Sequence, residues 1–234
     1  MTKGNTSELH SILGNVIIDK IGTASLDEWQ GTPFCEQARK LLPEAKSVIV
    51  MAMEVFSETV KQTTSKALVG DLTLRDLYTA NCDVVDGILD WEGYKLVKQL
   101  HKKGYKALLL PAGGSPYDAR FLNGPLSYKG IAVAAGIGIS GWHSLLITPE
   151  YGARVRLACI ITDAPFPSTA TAGLKNPCPE CGGACIKICP AGAIKKPSDG
   201  ESYNIDKHAC SNYYTASGAC AECLKVCPAG RTKN

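Results

Sequence analysis

Eight of the chain's eleven cysteines fall between Cys178 and Cys227. They form two groups. The first is Cys178-x2-Cys181-x3-Cys185-x3-Cys189-Pro190, and the second is Cys210-x9-Cys220-x2-Cys223-x3-Cys227-Pro228. Each group ends in Cys-Pro-Ala-Gly, so the segment reads as a diverged internal repeat. Thiols at this density either pair as disulfides or bind metal. The first 20 residues carry no basic start, apolar core and small-residue cleavage site, which leads us to expect a cytoplasmic, reducing compartment and argues against disulfides. Two sets of four thiolates suit two zinc ions or two iron–sulfur clusters.

The spacing resembles the bacterial ferredoxin run Cys-x2-Cys-x2-Cys-x3-Cys-Pro, in which the fourth cysteine ligates the other cluster of a pair. There are two departures. One extra residue within Gly182-Gly183-Ala184 widens the first group, and Cys210 lies far upstream in the second. The ferredoxin crossover implies Cys178, Cys181, Cys185 and Cys227 on one [4Fe–4S] cluster. It implies Cys189, Cys210, Cys220 and Cys223 on the other. Zinc, a three-iron cluster or an empty variant are the alternatives. Charge agrees with clusters: residues 169–234 hold eight Lys/Arg and five Asp/Glu, a balance of +3. Each cubane with four thiolates is a dianion, and the excess lysine offsets that charge.

The elements that must position these thiols are short of apolar residues. Beyond Cys178, Ile186, Ile188, Ile194, Ile205, Leu224 and Val226 are the large aliphatics available. So few cannot bury enough surface to fold the segment alone. Residues 1–166 differ, reading as alternating helix and strand. Ser47–Met53 is a continuous apolar run, as expected of a strand buried on both faces. Pro33–Leu42 is helical and stopped by Pro43. Val84–Lys103 is the clearest helix, with Val85, Leu89, Leu96 and Leu100 on one face and Gly104 as cap. Lys106–Leu110 and Val155–Thr162 are strands, Leu126–Gly136 is a helix rich in small residues, and residues 111–125 and 167–177 are loop and linker. Gly136-Ile-Gly-Ile-Ser-Gly141 is too glycine-rich for a helix and marks a place where backbone approaches something closely. The formal charge of +3 over 234 residues argues against a nucleic-acid partner, and no stretch approaches a membrane span.

The stretch from Gly136 to Leu157 matches neither a dinucleotide nor a phosphate-loop fingerprint. It resembles the corrinoid-binding core shared by reductive dehalogenases and epoxyqueuosine reductases. Leu145-Leu-Ile-Thr-Pro-Glu-Tyr-Gly152, Arg154-Val-Arg156 and Thr162-Asp-Ala-Pro165 resemble the dehalogenase side, as does Cys210-Ser-Asn-Tyr213 with the cysteines after it. Pro43–Val50 resembles the early strand of both. The resemblance covers nearly the whole chain. It implies an α/β fold: a nitroreductase-like corrinoid-binding core (1–166) with a small C-terminal bacterial-type two-[4Fe–4S] ferredoxin domain (167–234). It also implies a cobalamin bordered by Gly136, Gly138, Ser140, Gly141, Trp142, Leu145, Leu146, Ile147 and Thr148.

Two departures bear on chemistry. Relatives carry Lys-Asn or Arg-Asn after the glycine loop, where this chain has Trp142-His143. Epoxyqueuosine reductases carry an acidic proton donor before the loop, and the best match here is Leu122, which cannot donate a proton. Tyr117, Tyr128 and His143 are the catalytic candidates by type, with Arg120 or Lys129 as the cation a phenol needs to donate readily. Cys35, Cys82 and Cys159 read as small buried residues. Lys95, Lys98, Lys102 and Lys103 read as a solvated helix face that could dock an acidic donor such as ferredoxin or flavodoxin. Two functions follow: an iron–sulfur oxidoreductase passing low-potential electrons to bound cobalamin, or an electron-transfer or corrinoid-reducing partner with no substrate of its own.

Overall fold

A computed structural model describes residues 16–63, 72–113, 117–170 and 173–230. Parts of the expected loop (114–116), of the expected linker (171 and 172) and of the N-terminal reading (1–15) lie outside the described residues. The described chain forms two compact units, each assembled from separate stretches. Residues 16–53, 85–137 and 156–170 make one, and residues 54–84, 138–155 and 173–230 make the other.

The first unit is built on a four-stranded sheet. Its strands are β1 (Lys20–Ser25), β2 (Ser47–Glu54), β3 (Ala107–Leu110) and β6 (Val155–Thr162), in the order β1-β2-β6-β3. β1 pairs antiparallel with β2, and β3 with β6. The apolar run in β2 is buried from Val48 to Ala52, as a two-sided strand requires. The first helix, α1 (Pro33–Leu41), has Pro33 in its first turn and stops before Pro43, because proline cannot continue the hydrogen-bond ladder.

Among the described residues two further helices follow: α2 (Ser57–Gln62) and the long α3 (Leu72–Lys102), which contributes residues to both units. Val85, Leu89, Leu96 and Leu100 of α3 pack on Ile49, Met51, Ala158 and Ile160 of the sheet. Gly93 permits that packing: a Cβ there would lie 2.6 Å from Leu109 and 3.0 Å from Met51. Arg156 of β6 holds the buried Asp86 of α3 through two bonds, 2.7 and 2.6 Å, the bidentate pairing that a guanidinium fork favours. α3 ends where Gly104 takes φ +87° and its N–H donates to His101 O. The next helix, α4 (Tyr128–Ala134), is capped by Ser127, whose Oγ accepts from Gly130 N–H.

The second unit gathers the cysteine-rich segment. A hairpin of β4 (Ile139–Ser140) and β5 (Leu146–Ile147) carries the glycine loop. The short helices α5 (Cys178–Cys181), α6 (Ala184–Ile188), α7 (Lys207–Ser217) and α8 (Glu222–Val226) follow, with the pair β7 (Ile194–Lys195) and β8 (Asn204–Ile205) between α6 and α7. The shortage of aliphatics is met from elsewhere in the chain. Val55, Val60, Tyr78 and Cys82 pack with Ala219, Ala221 and Leu224, while Ile147, Ala153 and Trp142 pack with Cys178 and Cys227.

Candidate metal centre

The site is built from turns that end helices early. Asn176 Oδ1 accepts the Cys178 N–H at 2.9 Å, opening α5. Gly182 (φ +65°) and Gly183 (φ +74°) then turn the chain back before α6. Both are left-handed positions that favour glycine, so the extra residue in the first group is absorbed by a glycine pair. Cys185 sits on α6 and Cys189 directly after it. Asp206 caps α7 by accepting from the His208 and Ala209 N–H groups, and α7 carries Cys210. Cys223 sits on α8 with Cys227 directly after it, repeating the arrangement of the first group.

These turns bring Cys178, Cys181, Cys185 and Cys227 around one cavity, walled also by Trp142, His143 and Ile147. Cys178, Cys185 and Cys227 are buried. Burial first, then the neighbouring Cys178, Cys227 and Cys181, push the Cys185 thiol up to about 11. Burial also raises Cys178, partly offset by the Trp142 N–H, which donates to its Sγ at 3.4 Å. In the second set, burial raises Cys220, with Cys210 and Cys189 near enough to add to the effect. Cys223 is likewise raised by burial and then by Cys220 and Cys210. None of the eleven cysteines is in a disulfide. Among the described residues, no three His, Cys, Asp or Glu side chains converge on one point at single-ion distance. The first donor set frames a space rather than a point.

The residues expected around a corrinoid divide. Trp142 and His143 line the cysteine cavity, Ile147 lines both it and a second cavity, and Thr148 lines the second with Ile139, Leu174 and Lys175. The glycines serve the chain itself. Gly136 (φ +72°) ends α4, its N–H donating to Val133 O. A Cβ on Gly138 would overlap the Ile147 carbonyl, and one on Gly141 would sit 2.5 Å from the His143 ring. The close approach read from the glycine run is therefore present, and its partner is the hairpin's own backbone. Ser140 pairs with Leu146, which is buried, and Leu145 N–H donates to His143 Nδ1 at 3.1 Å.

His143 is 3% exposed. Tyr128 OH donates to Pro111 O at 3.0 Å. Tyr117 is 65% exposed, and Arg120 is held by Asp118 in a two-bond pair. The tyrosines belong to the first unit and His143 to the second. Leu122 stands at φ +48°, a conformation rare for a non-glycine residue. Cys35, Cys82 and Cys159 are buried as expected. Sequence reasoning missed the group around Arg154. Its Nη2 donates to Glu54 Oε1 and to Gly230 O.

No family model matches the chain. It is 44% identical over 72 residues to the epoxyqueuosine reductase of Listeria monocytogenes, covering 30% of this chain and 18% of that protein. It is 29% identical over 195 residues to the tetrachloroethene reductive dehalogenase of Dehalobacter restrictus, covering 75% of this chain and 31% of that one. The chain thus spans less than a third of the length of these relatives. Among solved structures, an epoxyqueuosine reductase with a modified tRNA-Tyr stem loop matches at TM-score 0.59 and 22% identity, over 98% of this chain and 66% of that one. A structure reported as suggesting a mechanism for B12-dependent dehalogenation matches at TM-score 0.60 and 19% identity, over 93% and 30%. The fold is the α/β fold of those proteins. The chain is similar to both epoxyqueuosine reductases and reductive dehalogenases, distantly and over most of its length.

Proposed function

We propose that this chain is an iron–sulfur oxidoreductase that moves low-potential electrons through two [4Fe–4S] clusters to a cobalamin. The carrying observation is the crossed grouping of cysteines. Cys227, from the end of the chain, walls the same cavity as Cys178, Cys181 and Cys185, while Cys189 stands with Cys210 and Cys220. In this reading each group of four holds one cluster, and the clusters supply one-electron transfer. Trp142 and His143 shield the first cluster from water. The Trp142 N–H donates to Cys178 Sγ, which stabilises the more negative reduced state. The raised thiols must lose protons to bind iron, so assembly releases protons and contributes folding free energy.

Cobalamin comes from the likeness to the dehalogenases. Ile147 and Thr148 fit that role, since they border the second cavity. Gly138 and Gly141 do not, because the chain's own atoms fill the space they leave. The filled hairpin favours a second reading, a cytoplasmic electron-transfer or corrinoid-reducing partner with no small substrate. Either reading takes electrons from a donor such as ferredoxin or flavodoxin, for which the exposed Lys98, Lys102 and Lys103 offer a basic face. Among the described residues no helix is long and apolar enough to cross a membrane. The relative solved with a tRNA stem loop removes the support for excluding nucleic acid on charge alone.

Anaerobic reconstitution with iron and sulfide, followed by titration with cobalamin, tests the proposal. Binding and formation of Co(I) on reduction support the first reading. Two clusters with no affinity for cobalamin leave the second.

A further inference from the structure

Thr148-Pro-Glu-Tyr-Gly152 and Arg154 are strong motif matches that line no cysteine cavity. Their geometry gives them another task. Thr148 and Gly152 exchange two backbone bonds, each 2.9 Å, which closes the turn between them. A Cβ on Gly152 would overlap the Ala229 carbonyl, and one on Gly230 would overlap the Gly152 backbone. The turn therefore abuts the Cys227-Pro-Ala-Gly230 turn backbone to backbone. Arg154 lies across the junction. Its own N–H donates to Tyr151 O at 3.1 Å, and its carbonyl accepts from Val55 N–H at 2.8 Å. Its Nη2 bridges Glu54 Oε1 at 3.3 Å and Gly230 O at 3.2 Å. The side chain is 11% exposed, and no acceptor among the described residues reaches its buried Nε. Burying a guanidinium with a donor unsatisfied is costly. An apolar side chain would fill the space without that cost. What the guanidinium adds is the bond to Gly230, three residues beyond Cys227.

We propose that Arg154, with Glu54 and the Thr148–Gly152 turn, is a clamp that positions Cys227 as the crossover ligand of the first cluster. The clamp rests on the two-cluster reading. Cys227 is the only member of its set delivered from the far end of the segment, so it lacks the short loop that holds Cys178, Cys181 and Cys185 together. Without the clamp the first cluster has three fixed thiolates and one wandering one. The Arg154 side chain bonds Glu54 and Gly230, and neither is a ligand of the second set.

The test uses the full chain, reconstituted anaerobically as wild type, Arg154→Gln, Arg154→Lys and Gly152→Ala, with iron content and the electron paramagnetic resonance of the reduced protein as readouts. Wild-type iron scores the two-cluster reading by itself. Given about eight irons there, Arg154→Gln and Gly152→Ala are expected to hold about four and to show one isolated cluster of unchanged potential. Arg154→Lys is expected to retain both clusters, because an ammonium still donates to Gly230 O. Full iron and an unaltered spectrum in Arg154→Gln would overturn the clamp. So would loss of both clusters together, which would make Arg154 a general support.

Discussion

At Cys178 two effects on one sulfur oppose each other. Burial raises the thiol, and the Trp142 N–H lowers it. Such donors set how readily a cluster accepts an electron. The cysteines themselves are the most direct residue-scale test. Cys181→Ala is expected to lower iron from about eight to about four per chain and leave the second set loaded, as measured by iron assay. Zinc in place of iron after reconstitution would refute that expectation. The ferredoxin-like spacing implied the grouping in which Cys227 stands with Cys178, Cys181 and Cys185, and these four do border one cavity. Arg154 was not legible. A guanidinium's partners are set by tertiary neighbours 76 and 100 residues away, and no local pattern encodes them.

Among the elements, the glycine hairpin changes meaning. Its sequence said only that backbone must come close to something, and the structure supplies Ile147 O and the His143 ring. Gly138→Val therefore has no room, and the expected result is a loss of about 1–3 kcal/mol together with weakened binding of the first cluster. A urea melt of the reconstituted variant, with its iron content, measures both. A variant as stable as wild type that lost only cobalamin binding would restore a ligand-facing role to this loop. The strands β2, β3 and β6 and the helices α1 and α4 of the first unit were legible because their apolar runs and stop signals are local, whereas β1 (Lys20–Ser25) was not expected. α3 begins well before the expected Val84, at Leu72, since its early turns lack the clear one-sided pattern. Its link to β6 was also invisible in sequence. Asp86 is buried against Arg156, and Arg156→Gln would leave that carboxylate unpaired. The expected cost is about 3 kcal/mol, read from the same melt.

Across the whole chain, the described residues do not divide at a single position. Residues 54–84 and 138–155 pack with the cysteine-rich end rather than with their sequence neighbours. Sequence reasoning found the cysteine segment unable to fold alone and named metal as the remedy. The structure adds a second source, the apolar side chains of Val55, Val60 and Tyr78. Both contribute in this account, so removing iron should loosen one unit and spare the other. Hydrogen exchange after anaerobic chelation is expected to show lost protection in residues 173–230, while β2 and β6 stay protected. Uniform loss across both units would mean that the clusters support the entire fold.

Crossed ligation joins the two proposed cubanes. Cys185 and Cys189 lie about one helical turn apart yet belong to different sets, which forces the two clusters close together. Electron paramagnetic resonance of the fully reduced, iron-loaded protein tests this most directly. The account predicts about eight irons and a spectrum broadened by magnetic interaction between two reduced clusters. Two sharp, independent signals, or a protein that takes up zinc and no iron, would contradict it.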